Sequence, residues 1–314
     1  MTTDPVDSPP RGSGDASHWW RIVGIWAVLS IAFDVIWIKF VGPHVPPGRM
    51  TDTANGASFD FNVLIVMAVP VMIAIWVYMA YAVITWRAGR GGSDPIGGEQ
   101  ARGNKRIELS WITITTVIVL FLAGFGTYEL GQPEGAGGGQ GPTPLWTPAS
   151  HTVLQIQVIG QQWKWTYRYP SFGGFETNEL VIPDNTTIAF HVTSLDVIHD
   201  FWAYQLGVKA DANPGVDNVA FTTPTQLGTF TVRCAELCGI WHGAMFNSGR
   251  VDTPTEFNTW ATTTEHQLAA NTALLPAFAY SYTPDANGAD GGYYPDTADP
   301  YSAVETYGAA QQGI

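Results

Sequence analysis

Residues Thr231 to Gly249 read TVRCAELCGIWHGAMFNSG and hold both cysteines of the chain. Cys234 and Cys238 are followed by His242 and Met245, and Glu236 lies between the two sulfurs. Two thiolates, an imidazole and a thioether in one short run make a soft donor set, the kind that suits copper in electron transfer. Three plainer readings compete here. Outside the cytosol a cysteine pair at this spacing can close a disulfide, although that leaves His242 and Met245 unexplained. Structural zinc takes four strong ligands, and methionine is not one of them. A thioredoxin-like copper chaperone with a Cys-x3-Cys pair should carry a proline after the second cysteine, where this chain has Gly239.

Working outward, Phe230 and Val232 alternate with Thr229, Thr231 and Arg233. Alternation with a period of two marks a half-buried strand, so the cysteine run is the loop after a strand. The same pattern recurs in Leu154, Ile156 and Val158 against Gln155 and Gln157, and in Ile188, Phe190 and Val192 against Thr187, Ala189 and His191. The PDN at Pro183 to Asn185 and the NPG at Asn213 to Gly215 supply turns. Together these predict a compact antiparallel β domain over residues 150–264. Loops on such a scaffold are where binding groups collect. The loop expected after the Ile188 to Val192 strand offers His199, set between Ile198 and Phe201 in SLDVIHDFW. His151, His191 and His266 lack that apolar setting and are left out.

The rest of the chain reads as membrane-associated. Of its 314 residues 46% are hydrophobic and only 13% are charged. Apolar segments at 19–41, 61–86 and 107–127 each approach the ~20 residues that span a hydrocarbon core. The first is read as a retained helix or signal anchor, because GPHVPP follows Val41 where a small-residue cleavage site would stand. Asp34 within it should face other protein or water, and Pro70 in the second is tolerable as a kink. Arg87, Arg90, Arg102, Lys105 and Arg106 crowd the loop between the second and third segments. Positive charge in short loops marks the cytoplasmic side, which sends everything after Tyr128 to the exterior. Residues 1–18 read as a disordered tail, 131–147 as a Gly/Pro linker, and 276–314 as an acidic, Tyr-rich tail. With a formal net charge of -13, nucleic acid is excluded as a natural partner and a basic protein is favoured.

Cys234-Ala-Glu236-Leu-Cys238-Gly-Ile-Trp-His242-Gly-Ala-Met245, with Asp196-Val-Ile-His199 ahead of it, resembles the binuclear copper signature of subunit II of the haem-copper cytochrome c oxidases. The stretches Gly160-Gln-Gln-Trp-Lys-Trp-Thr-Tyr167, Leu206-Gly-Val-Lys-Ala-Asp211 and Ile107-Glu-Leu-Ser-Trp111 extend the likeness, which covers roughly residues 107–251. The resemblance implies N-terminal transmembrane helices followed by an exterior cupredoxin-like Greek-key β-barrel, in a multi-pass protein of a prokaryotic plasma membrane. It implies that Cys234 and Cys238 bridge two copper ions, that His199 and His242 each ligate one, and that Met245 and the carbonyl of Glu236 are the weak ligands. The side chain of Glu236 would reach a magnesium ion at the contact with subunit I. Trp163 would be the residue through which electrons arrive from cytochrome c, and Glu108 would stand at the mouth of a proton path into subunit I. Trp165 reads better as an aromatic anchor of the barrel, and Glu108 also fits a helix N-terminus on charge alone.

The implied activity is that of the electron-accepting subunit of a proton-pumping terminal oxidase, which works with subunit I and other oxidase subunits in the lipid bilayer. Two readings of other classes share parts of the signal. A nitrous oxide reductase should bring a large propeller domain, for which this length leaves no room. A membrane-anchored copper chaperone would bind one copper with the two sulfurs and a distant histidine, making Met245 dispensable. The pattern also departs from the resemblance: the first apolar segment is extra, no Cys-x-x-Cys-His for a fused c-type haem is present, and the C-terminal tail has no counterpart.

Overall fold

The computed structural model describes residues 13–85, 103–132, 140–148, 152–268 and 305–306. The chain falls into two compact units, residues 1–44 with 61–113 and residues 45–60 with 114–314.

Three helices are long and apolar enough to cross a membrane. Helix α1 (Ser13–Ile36) runs on through a π turn at Trp37–Val41, α2 spans Asp52–Thr85 and α3 spans Lys105–Leu130. Ile22 of α1 packs with Ile73 and Val77 of α2, flanked by Trp26, Val69 and Tyr81. Trp26 Nε1 donates to the carbonyl of Pro70 at 2.8 Å, which ties the two helices at the proline. Asp34 Oδ1 is enclosed, with no hydrogen-bond partner among the described residues.

Helix boundaries follow polar caps that an apolar-run criterion does not register. Helix α1 starts upstream of Trp19, inside the stretch expected to be a tail. Helix α2 starts well before Phe61, because the Thr51 hydroxyl accepts the amide of Ala54 at 2.9 Å and caps a polar first turn. Asn104 caps α3 by accepting the amides of Arg106 and Ile107. Lys105 and Arg106 open that helix, while Arg87, Arg90, the rest of the basic loop and His151 lie outside the described residues.

The larger unit contains the β domain. Its strands are β1 (Gln140–Gly141), β2 (Thr152–Gln161), β3 (Lys164–Tyr169), β4 (Phe175–Thr177), β5 (Leu180–Pro183), β6 (Thr187–Ser194), β7 (His199–Ala203), β8 (Val208–Ala212), β9 (Asn218–Thr222), β10 (Gly228–Cys234) and β11 (Phe246–Asp252), followed by helix α4 (Pro254–Leu268) and β12 (Glu305–Thr306). One sheet has the order β1-β9-β6-β2-β3-β4, with β12 beside β2, and the other runs β5-β11-β10-β7-β8. Apart from Glu305 and Thr306, the C-terminal tail lies outside the described residues.

The core between the sheets is built by the alternation seen in the sequence: Leu154, Ile156, Val158, Ile188, Phe190, Val192, Phe230 and Val232 are all buried. Tyr169 fastens β3 to β5 from within, its hydroxyl donating to the carbonyl of Val181 and accepting the amide of the same residue. The two expected turns are present, with Asn185 and Gly215 both at positive φ. Membrane-length helices followed by a cupredoxin-like two-sheet β domain are therefore the architecture of the chain.

Gly249 on β11 lies directly opposite Phe230 on β10, and a Cβ added there would run into the Phe230 ring. Gly249→Ala should destabilise the β domain by about 1–3 kcal/mol, read as a lower midpoint in thermal unfolding. An unchanged midpoint would show that the ring has room to move.

Candidate metal centre

The loop between β10 and β11 begins at Cys234, the last residue of β10, and ends at Met245, the residue before β11. Because β10 and β11 pair along their whole length, both ends of the loop are fixed. Its first and last residues are joined by the amide of Cys234 donating to the carbonyl of Met245 at 3.0 Å. A 3-10 turn at His242–Ala244 brings His242 back over the sulfurs.

Four donor atoms gather around the two sulfurs in a paired pattern. Cys234 Sγ lies 3.8 Å from His199 Nδ1 and 3.2 Å from the carbonyl oxygen of Glu236. Cys238 Sγ lies 3.6 Å from His242 Nδ1 and 3.9 Å from Met245 Sδ. The sulfurs are 3.7 Å apart and both cysteines are free, so the pair is not a disulfide here. Among the described residues His199, Cys234 and Cys238 form a buried group able to hold a metal ion. Met245 is also buried, His242 is half-buried, and the Glu236 side chain is exposed. The donor set is predominantly soft, two thiols, two imidazoles and a thioether with one carbonyl, which fits copper better than zinc, calcium or magnesium.

His199 is not on a loop, as its position in the sequence suggested, but is the first residue of β7. It is held there because Gly160 leaves room for its ring; a Cβ on Gly160 would approach His199 Cδ2 to 2.9 Å. Trp165 meets the ring edge-on from β3, with centroids 5.9 Å apart, and is itself buried, as expected for a barrel anchor. His199 Nε2 lies 2.9 Å from Asp196 Oδ1. A carboxylate can only accept, so Nε2 carries the proton and Nδ1 is turned to the sulfurs.

The electrostatics follow from this geometry. Burial works against the Asp196 charge, but hydrogen bonds from the amides of Gln162 and Val197 and from His199 outweigh it and hold the carboxyl below its ordinary range. Burial likewise opposes a Cys234 thiolate, yet His199, the backbone at Asp200 and Glu236, and Cys238 bring it down to about 6. Cys238 is pushed up to about 12, by burial and by the neighbouring Cys234. The metal-free pair therefore holds one thiolate and one thiol at neutral pH.

Trp163 and Gln162 stand at the other side of the loop, in the turn between β2 and β3. Gln162 Nε2 donates to the carbonyl of Cys238 at 2.8 Å, and Trp163 Nε1 donates to the same oxygen at 3.2 Å. Gly239 has φ +124°, and a Cβ there would press on both side chains at 3.1 Å, so its lack of a side chain is required twice over. Glu108 lies elsewhere, in the first turn of α3, and is not part of this cluster. Asp196, Gln162, Gly160 and Gly239 are the positioning residues that sequence reading passed over. The adjoining motifs DVIH, GQQW and CGI contained them, but only the contacts reveal what they do.

His191, set aside as a polar-face residue, is in fact buried. It bonds Asp217 through Nδ1 at 2.5 Å and Gln155 through Nε2 at 2.7 Å. It belongs to a polar network on the outward side of its sheet and not to the sulfur cluster. Leu237, Ile240, Trp241 and Phe246, by contrast, are large apolar side chains left exposed around the loop.

The family described as cytochrome c oxidase subunit II, periplasmic domain, matches residues 175–248. A Thermostichus vulcanus protein named cytochrome c oxidase subunit 2 is 28% identical over 307 residues, covering 83% of this chain and 89% of its own length. A Rickettsia prowazekii protein named probable cytochrome c oxidase subunit 2 is 30% identical, over 58% of this chain and 64% of that protein. A crystal structure of the periplasmic domain of subunit II of cytochrome oxidase from Bradyrhizobium japonicum is 37% identical, covers 37% of this chain and 95% of that one, and has a TM-score of 0.36. The family match falls on the β domain with its sulfur loop, and the Thermostichus alignment runs along most of the chain: the chain is similar to cytochrome c oxidase subunit II along most of its length.

Proposed function

We propose that this chain is the electron-accepting subunit of a membrane-bound terminal oxidase. It takes electrons from cytochrome c and passes them to haem in subunit I, where oxygen is reduced to water and protons are pumped. The observation that carries this reading is the pairing of donors, one imidazole and one weak ligand beside each of two adjacent sulfurs. His199, Cys234, the Glu236 carbonyl, Cys238, His242 and Met245 would together hold a copper pair. When bound, such a pair supplies a one-electron carrier whose charge is shared between two metals.

The chain's own residues make that carrier efficient. The donors stand on two paired strands and a short turn, so bonds have little freedom to rearrange. Asp196 fixes the tautomer of His199. Trp163, half-buried and bonded to the backbone of Cys238, places an aromatic ring where electrons from a donor can enter. The apolar rim around the loop supports contact with other oxidase subunits and with the donor, and the acidic excess of the chain supports electrostatic steering of a basic cytochrome c. The exposed Glu236 carboxyl is available to a magnesium ion at the subunit I contact. Glu108 is assigned to the mouth of the proton path, and the β domain to the exterior face of a prokaryotic plasma membrane, opposite the basic loop. Against a copper chaperone stands Met245, which is buried beside Cys238 Sγ in a position that delivery would not need.

Loading the full chain with copper in detergent micelles should give two coppers per chain and a multi-line hyperfine pattern in electron paramagnetic resonance; a single copper, or zinc, defeats the reading. Copper affinity, measured against a competing chelator, should fall as pH drops because Cys238 must lose its proton to bind, and should fall more steeply below about 6, where Cys234 takes up a proton as well; each unit costs about tenfold per proton displaced. An unchanged slope between pH 7 and 5 would contradict the assignment of Cys234 as a ligand. In the assembled oxidase, Trp163→Phe should slow reduction by cytochrome c while leaving the copper spectrum intact, and Glu108→Gln should lower turnover and pumping. Unchanged rates would remove those two roles.

A further inference from the structure

The strand that carries His199 presents a different chemistry on its other face. Side chains alternate along β7, so with His199 and Phe201 turned inward, Asp200 points outward beside Lys209 and Asp211 of β8. Asp200 and Asp211 are direct cross-strand partners, and like charges placed opposite one another destabilise a sheet. Lys209 Nζ reaches Asp200 Oδ2 at 3.2 Å, but its side chain is 57% exposed and it answers only one of the four carboxylate oxygens.

Asp200 is only 3% exposed, and its Oδ1 has no hydrogen-bond partner among the described residues. Such an atom is costly unless a positive group meets it. Asp200 lines a cavity of about 380 Å³ together with Lys209, Asp211, Asn213, Asn218 and the Gly141–Pro142 segment. Asn218 Nδ2 donates to the Asp211 carbonyl, so the oxygen end of that amide is the one that can serve a cation. The donors here are carboxylate and amide oxygens, with neither sulfur nor imidazole, which is a hard set.

We propose that the outward face of β7 and β8 binds a hard divalent cation, of the calcium or magnesium type, through Asp200 and Asp211 with amide oxygen from Asn213 or Asn218. The site is separate from the soft cluster on the inner face, and Glu236 does not line it. It stands whether or not the inner face takes copper. In this arrangement Lys209 is a built-in competitor that occupies Asp200 until the cation arrives.

The test uses the full chain in detergent micelles, stripped of metal, with terbium ions as the probe and calcium as the competitor. Trp202, whose ring lies 6.0 Å from Lys209 Nζ, is close enough to sensitise terbium luminescence. A saturable signal displaced by calcium is expected, weakened at least about tenfold in Asp200→Asn and unchanged in Glu236→Gln. Lys209→Met should tighten calcium binding, a gain that misfolding cannot produce. The proposal is overturned by the lack of a calcium-displaceable signal, by a signal that survives Asp200→Asn, by one that disappears in Glu236→Gln, or by weakened or unaltered calcium affinity in Lys209→Met. In the first case the paired carboxylates serve a cationic side chain of a partner instead.

Discussion

One carbonyl oxygen ties the middle of the functional loop to a turn distant in sequence. The oxygen of Cys238 accepts hydrogen bonds from both Gln162 Nε2 and Trp163 Nε1, and through them the turn between β2 and β3 clamps a loop that otherwise exposes Leu237, Ile240 and Trp241 to solvent. That clamp adds to the strand pairing and the Cys234–Met245 backbone bond that hold the two ends of the loop. The glycine that follows Cys238 completes the arrangement, because only a residue without Cβ can take that backbone angle and leave room for both donors. The position of Cys238 thus depends in part on a contact between two segments some seventy-five residues apart in sequence.

The two thiols are made unequal by their neighbours. Cys234 sits among groups that favour its charge, a histidine and backbone at Asp200 and Glu236, whereas at Cys238 the neighbouring sulfur adds to the effect of burial and little offsets either. A symmetric-looking donor set is therefore electrostatically lopsided before any metal arrives. The asymmetry originates in the fold: His199 and Asp200 lie on a strand that pairs with β10 next to Cys234, while the partners of Cys238 come from the loop itself.

Much of this was legible in the sequence, and the limits have physical causes. The period-two runs of β2, β6 and β10 identified the core because one-sided burial imposes alternation, and the soft residues between Cys234 and Met245 identified the cluster because they are chemically rare together. His199 was found by its apolar neighbours, yet its place as the start of a strand was not, since DVIH carries no alternation of its own. Burial of His191 was invisible because a polar residue on a polar face looks solvent-exposed unless its partners, Asp217 and Gln155, are known. The starts of α1 and α2 were missed because hydrophobicity does not report a polar first turn, which Thr51 caps for α2. Asp196 and Gln162 act only through distant contacts, and no local pattern announces that.

Strand β7 is five residues long and separates two chemistries by the alternation of its side chains. Its register is an address: His199 reads inward as nitrogen for the sulfurs, and Asp200 reads outward as oxygen. A slip of one residue would exchange them, putting a hard carboxylate among soft donors and an imidazole on the acidic face. The carbonyl of Asp200, which accepts the amide of Ala235 at 3.0 Å, locks that address to the loop that depends on it. The segment from Leu195 to Ile198 is thus a place where chain length itself is constrained, and insertions there would rewrite the ligand set without altering a single ligand residue.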